Sequence, residues 1–315
     1  LHSFPARRSS DLLCALGLLG GCRQPTPPTS GQARRRPVVA ATIFPLASLV
    51  AELVGDSAEV VTLAPSAASP HTLDLTPDTA RQLASANLLV RIGPGLDDWV
   101  AQLASAKVKV FAAMDHATLI DGNPETGHDH GHGQDSEAHD AGPALDKDPH
   151  LWLDPDLVGR EVVPALAAEL QALGVSGVPQ RQAALQSQLA ALDKELAAKL
   201  KPLKQRRYAG AHPAWRYFNR RYGLDMVATV EPVGGTEPSA RWLREAIETT
   251  KAKGAACVFT EVQLSGKLDS AVAKEAGVRL GVLDPIGGAD VPGRDSYAAM
   301  LRYNAQSFVT GLGGS

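Results

Sequence analysis

The chain has 315 residues, 44% of them hydrophobic and 21% charged, an ordinary balance for a globular protein with enough length for two medium domains. A formal net charge of −3 leaves no basic surplus to neutralise phosphates, and aromatic residues at 5% are too sparse for base-stacking platforms. Both observations argue against a nucleic-acid binder.

The first twelve residues, LHSFPARRSSDL, do not read as the start of a signal peptide and resemble translated sequencing-adapter sequence ahead of a truncated leader. Residues 12–22 form an apolar run that is too short to span a bilayer and has the length of a signal-peptide core. Its end, Leu19-Gly20-Gly21-Cys22, resembles a bacterial lipobox, which would make Cys22 the lipidated first residue of the mature chain; the plainer reading is a secretory signal with a chance cysteine. Residues 23–36 carry Pro25, Pro27, Pro28, Ser30 and Gly31, the composition of a flexible tether. Beyond the leader Cys257 is the one remaining cysteine, so an internal disulfide and a paired-thiolate zinc site are both excluded. Any transition-metal site has to be built from histidine and carboxylate.

The predicted fold starts near Pro37. Residues 38–44 read as a buried strand, 45–54 as a helix closed by Gly55, and 58–64 as a second strand that leads into a loop ending at Pro70-His71. Thr76-Pro77-Asp78 supplies an N-cap and a first-turn proline for another helix. Strands are expected at 87–92 and 107–111, with Gly93-Pro94-Gly95 and a helix from Leu96 between them. Strands alternating with helices imply a mainly parallel sheet.

Residues 122–147 break that rhythm. They are poor in apolar side chains and rich in His, Asp and Gly, so they cannot bury enough surface to order themselves and are expected to form a mobile surface loop. His128, His130, His132 and His139 make this loop a candidate weak accessory metal site, the bland alternative being a solvated insertion. Two helical patterns follow, over 156–173 and 178–203. The second carries Leu185, Leu189, Leu192, Leu196 and Leu200 at helical spacing and would reach about 39 Å, long enough to run past two lobes and join them. A second α/β lobe repeats the first, with strands at 207–211, 224–230, 255–260 and 278–283 and helices at 214–222, 238–253, 266–276 and 296–309.

Three histidines sit beside prolines in loops: Pro70-His71, Pro149-His150 and His212-Pro213. A carboxylate, Asp284, does the same in Asp284-Pro285. Proline restrains the backbone of its neighbours, so each side chain is presented from a stiff corner. At least two of these corners directly follow the C-terminal end of a predicted strand, where open α/β sheets place ligands. Three neutral imidazoles and one carboxylate would give four-coordinate N/O ligation suited to Zn²⁺. Glu261, at a strand end, is either a partner for a ligating imidazole or a local cap, while Trp99, Trp152, Trp215 and Trp242 read as packing.

From Pro37 to Gly311 the chain resembles the zinc-uptake type of metal-binding solute-binding proteins of bacterial ABC transporters. The residues that carry the resemblance are Ser69-Pro70-His71 with Thr76-Pro77, Gly93-Pro94-Gly95-Leu96-Asp97-Asp98-Trp99, and Asp148-Pro149-His150-Leu151-Trp152-Leu153-Asp154-Pro155. In the second half they are His212 with Tyr217-Phe218 and Tyr222-Gly223-Leu224, Glu237-Pro238-Ser239, Phe259-Thr260-Glu261 and Leu283-Asp284-Pro285. The resemblance implies two α/β lobes over 37–173 and 205–315, a rigid connecting helix within 174–204, and one metal in the cleft between the lobes. It carries the ligand positions onto His71, His150, His212 and Asp284, with Asp284 either binding directly or leaving the fourth position to water. It also implies delivery of Zn²⁺ to an ABC permease by a monomeric, lipid-anchored protein on the outer face of the cytoplasmic membrane or in the periplasm. Manganese-selective relatives place a carboxylate where this chain has His212, so a third imidazole favours zinc. Some zinc members pair a cysteine in the Cys257 strand with one near the C-terminus, a staple this chain lacks.

Other readings are a manganese or other divalent-metal binder, an adhesin of the same family, and a zinc hydrolase. The last has little support, because no His-Glu-x-x-His, nucleophile elbow or phosphate-cradling glycine loop is present.

Overall fold

The computed structural model describes residues 36–66, 68–73, 76–100, 108–122 and 146–313. The expectations for the leader, Cys22, the tether and His128, His130, His132 and His139 lie outside the described residues.

In the first lobe β1 (Val38–Ala41), α1 (Phe44–Val54), β2 (Glu59–Thr62), α2 (Pro77–Ser85), β3 (Leu88–Arg91) and β4 (Lys109–Ala112) alternate as the hydrophobic pattern implies. All four strands are parallel, in the order β2-β1-β3-β4. Val39 and Ala41 send their side chains into one buried cluster and Ala40 into another, so β1 is covered on both faces. The start of α2 follows from its sequence. Thr76 accepts a hydrogen bond from Thr79 N, and Pro77 occupies a position where no backbone donor is needed.

The predicted helix over 156–173 is instead three consecutive pieces: α3 (Pro155–Leu157), a π-helical turn at Val158–Val162, and α4 (Val163–Ala172). The cause lies in Pro164. It has no N–H to return to the carbonyl of Arg160, and the preceding turn widens rather than leave the chain strained. α5 (Val178–Leu200) runs for 23 residues, shorter than expected because Pro202 closes it.

The second lobe contains β5 (Arg207–Gly210), α6 (Arg216–Tyr222), β6 (Asp225–Thr229), α7 (Ala240–Ala252), β7 (Cys257–Glu261), α8 (Lys267–Ala276) and β8 (Arg279–Leu283), and α9 (Tyr297–Gly311) ends the fold. Its strands are also parallel, in the order β6-β5-β7-β8, the same sequence of crossovers as in the first sheet.

α5 packs on α1 and α4 of the first lobe and on α6 and α9 of the second. Its buried stripe of Leu185, Leu189, Leu192, Leu196 and Leu200 belongs to one continuous cluster that also includes Leu49 from α1 and Phe308 from α9. Polar clamps sit at the edge of this stripe. Arg221 donates to both oxygens of Asp193, and Arg302 makes a bidentate pair with Glu195. The two sheets therefore share a core instead of hanging from a flexible linker, which holds the loops after their strand ends in fixed register.

Candidate metal centre

His71 lies in the loop after β2, where the indole of Trp99 donates to Pro70 O at 3.1 Å and pins the corner. His150 precedes a single 3-10 turn, Leu151–Leu153, and is reached from the first lobe through the chain beyond β4. His212 follows β5 directly, its extended backbone set by Pro213. Each corner alone is unremarkable. Together they place three imidazoles in a nearly equilateral triangle, with ring centroids 5.2, 5.3 and 5.4 Å apart.

His71, His150 and His212 each offer a ring nitrogen within 4.8 Å of the others. His71 Nε2 and His150 Nε2 are 3.1 Å apart. For an ion bound tetrahedrally at about 2.0–2.1 Å from each nitrogen, two ligand nitrogens lie about 3.3 Å apart, so this separation is that of a zinc-sized edge. The cavity between them has a volume of about 10 Å³, lined by the three histidines with Pro70, Trp152, Glu261 and Pro285 among others. That is room for one water-sized particle.

The opposite edges of two rings are held by carboxylates. Asp148 Oδ1 lies 2.8 Å from His150 Nδ1 and also accepts from the His150 backbone N–H at 2.9 Å. Glu261 Oε2 lies 3.0 Å from His212 Nδ1, off the line of a hydrogen bond, while Glu261 Oε1 accepts from the Trp215 indole at 3.0 Å. Both ring nitrogens of His212 are buried without an aligned hydrogen-bond partner. A carboxylate at Nδ1 keeps the proton there and turns the Nε2 lone pair to the cavity, the arrangement that orients metal-binding imidazoles.

The electrostatics split the triad. His71 keeps part of its side chain at the surface, yet its ring lies among protein atoms. That desolvation, followed by the charges of His150 and His212, lowers its pKa well below 6.5. Burial alone would lower His212 too, but the Glu261 carboxylate, with smaller help from Glu231 and Asp148, outweighs it and raises the imidazole above 6.5.

Asp284 is the exception among the expected ligands. It is 1% exposed and follows β8 as expected, but it stands outside the histidine triangle and does not line the cavity. Its Oδ1 accepts from Gln263 Nε2 and from the backbone N–H groups of Ile286 and Gly287, and its Oδ2 pairs with Arg294 at 2.9 Å. These four contacts fix the turn of the chain after β8. Of the two expected alternatives, direct ligation by Asp284 or a fourth position left to water, this arrangement fits the second, with Pro285 and Ile286 rather than Asp284 lining the cavity.

Trp152 and Trp215 are buried in the core as expected, and the tryptophans also donate hydrogen bonds that hold the site. The indole of Trp152 donates to Pro285 O across the lobes at 2.7 Å, and that of Trp215 holds Glu261. The indole of Trp242 donates to Thr229 O. The role of Asp148 was readable in principle, from a carboxylate two residues before a proline-restrained histidine.

The sequence profile of the ZnuA family, described as the periplasmic component A of the zinc-uptake complex, matches residues 39–311. The chain belongs to this family. The ZnuA zinc-uptake protein of Paracoccus denitrificans is 31% identical over 306 residues, covering 88% of this chain and 92% of its own length. ZnuA of Yersinia pestis is 29% identical, covering 87% and 91%. Among solved structures, a zinc-bound deletion mutant of ZnuA superposes with a TM-score of 0.70 at 30% identity, over 87% of this chain and 97% of the other. The zinc-binding protein TroA of Treponema pallidum shares the fold at a TM-score of 0.74 and 22% identity, over 88% and 99%. Members of the ZnuA family are solute-binding components of ABC-type zinc importers. The two-sheet architecture and its crossovers are those of ZnuA structures.

Proposed function

We propose that the chain captures Zn²⁺ outside the cytoplasm and delivers it to an ABC import permease, with His71, His150 and His212 as the protein ligands. The observation that carries this reading is the triangle of imidazoles around a cavity for a single particle, with two of the rings backed by carboxylates. Three nitrogen donors favour zinc over manganese, which prefers oxygen. Zinc here is cargo: the fourth position is left to water, as suits an ion that must later be released. The chain acts without catalysis, as a monomer. Cys22 tethers it to the membrane by a lipid, and His128, His130, His132 and His139 collect zinc weakly.

The test is an equilibrium titration of metal-stripped protein with Zn²⁺ and Mn²⁺. One tight Zn²⁺ equivalent that excess Mn²⁺ does not displace is expected. Preference for Mn²⁺, or no stoichiometric site, would overturn the reading.

A further inference from the structure

The histidine cavity adjoins a wider cleft of about 630 Å³, which shares Ser69, Gln263 and Leu264 with it. One wall of this vestibule is the turn after β6, containing Glu231, Gly235, Thr236 and Glu237; the first lobe contributes Ser69, Thr72 and Leu73. A cation reaching the histidines by this route passes the turn.

The turn is built tightly against both lobes. Glu231 N donates to Ala211 O at 2.7 Å, which sets its backbone beside the residue preceding His212. Gly235 N donates to Glu231 Oε2, also at 2.7 Å, closing the turn. A Cβ on Gly234 would stand 3.0 Å from the His212 ring, and one on Gly235, whose φ is +87°, would stand 3.1 Å from Thr72. Glu231 is only 7% exposed, yet its Oε1 makes no hydrogen bond among the described residues, and its charge acts on His212. A carboxylate taken this far out of water normally uses both oxygens. Here one closes the turn and the other makes no hydrogen bond, in a turn that lines the vestibule and packs at Gly234 on the ring of His212, whose two nitrogens also lack aligned partners.

We infer that Glu231 is the carboxylate that draws incoming Zn²⁺ through the vestibule and passes it to His212, without remaining in the final ligand set. This rests on the zinc-capture reading above. Lys267, which lines the same vestibule and has no ion-pair partner among the described residues, opposes that attraction. Charges of either sign at the mouth of a low-dielectric cleft change association rates rather than the bound geometry.

Stopped-flow mixing of the metal-stripped full chain with Zn²⁺, together with the absorption spectrum of the Co²⁺-loaded form, tests this. Glu231→Gln keeps an oxygen to accept the Gly235 N–H but loses the charge. It should slow association by about tenfold at low salt, a deficit that shrinks as salt rises, with the dissociation rate and the Co²⁺ spectrum unchanged. Lys267→Met should speed association. An unaltered association rate in Glu231→Gln would mean that the residue only closes the turn. A faster dissociation with an altered Co²⁺ spectrum would make it a permanent ligand; either result overturns the inference while leaving zinc capture intact. A wild-type chain that takes up neither ion would remove the zinc reading itself.

Discussion

Replacing His212 with alanine removes tight zinc binding, whereas Asp284→Asn leaves it within a few-fold of wild type. His212 is one of three donors around a cavity with room for one particle, so its loss opens a coordination position to bulk water. The affinity loss should exceed the roughly 10–100-fold that follows from losing an outer partner of a metal-bound histidine, the range expected for Glu261→Gln. Asp284, by contrast, spends both oxygens on Arg294, Gln263 and two backbone N–H groups. Its replacement leaves the buried Arg294 contact without a counter-charge, and the effect should appear in the melting temperature. Competition titrations and thermal melts on the same two variants separate these roles. Equal losses of zinc affinity in both would return Asp284 to the ligand set. His212→Glu should move preference toward Mn²⁺, because it replaces a nitrogen donor with a harder oxygen.

Zinc affinity should fall steeply with acid, beginning above pH 6.5. Only a neutral imidazole can donate its lone pair to the ion, so protons compete at each ligand from its own pKa downward. The His212 imidazole is raised above 6.5 and therefore competes first; His71, lowered well below that value, stays neutral to much lower pH. Just below the His212 pKa the loss is about tenfold per pH unit, the slope of one proton. The stability of the metal-free chain runs the other way. A raised folded-state pKa stabilises the fold fully below the unfolded value, and that contribution is lost as pH rises through the folded value. The zinc-induced increase in Tm should consequently widen between about pH 6 and about pH 8. Calorimetric titrations in buffers of different ionisation enthalpy count the protons released. Affinity that is flat across that range would contradict a carboxylate-backed histidine as ligand.

How much of this was legible in the sequence depends on whether the controlling contacts were local. The repeat of strands and helices, the Thr76-Pro77 helix start and the leucine stripe of α5 are local patterns, and the elements formed with shifts of a few residues at their ends. The π-helical turn was not foreseen, because the apolar period survives one widened turn while the cause, Pro164, reads equally well as a simple helix interruption. At the site, proline-flanked corners singled out His71, His150 and His212. Asp284 has the same signature, but a proline neighbour says only that a side chain is held stiffly, not toward what. Its capture by Arg294, ten residues on, and by Gln263 from another strand end depends on tertiary distances alone. Glu231 has no motif at all. It matters through the packing of its turn on His212 and Thr72, and no spacing in the chain announces that.

The account stands on one ion shared by three imidazoles from distant loops. A crystal structure of the zinc-loaded chain, with anomalous scattering measured at the zinc edge, tests this most directly. The expected result is a single strong peak in the interlobe cavity, about 2.0–2.1 Å from Nε2 of His71, His150 and His212, with Asp284 still paired to Arg294. A peak elsewhere, or zinc held by Asp284 in place of one of those imidazoles, would contradict it.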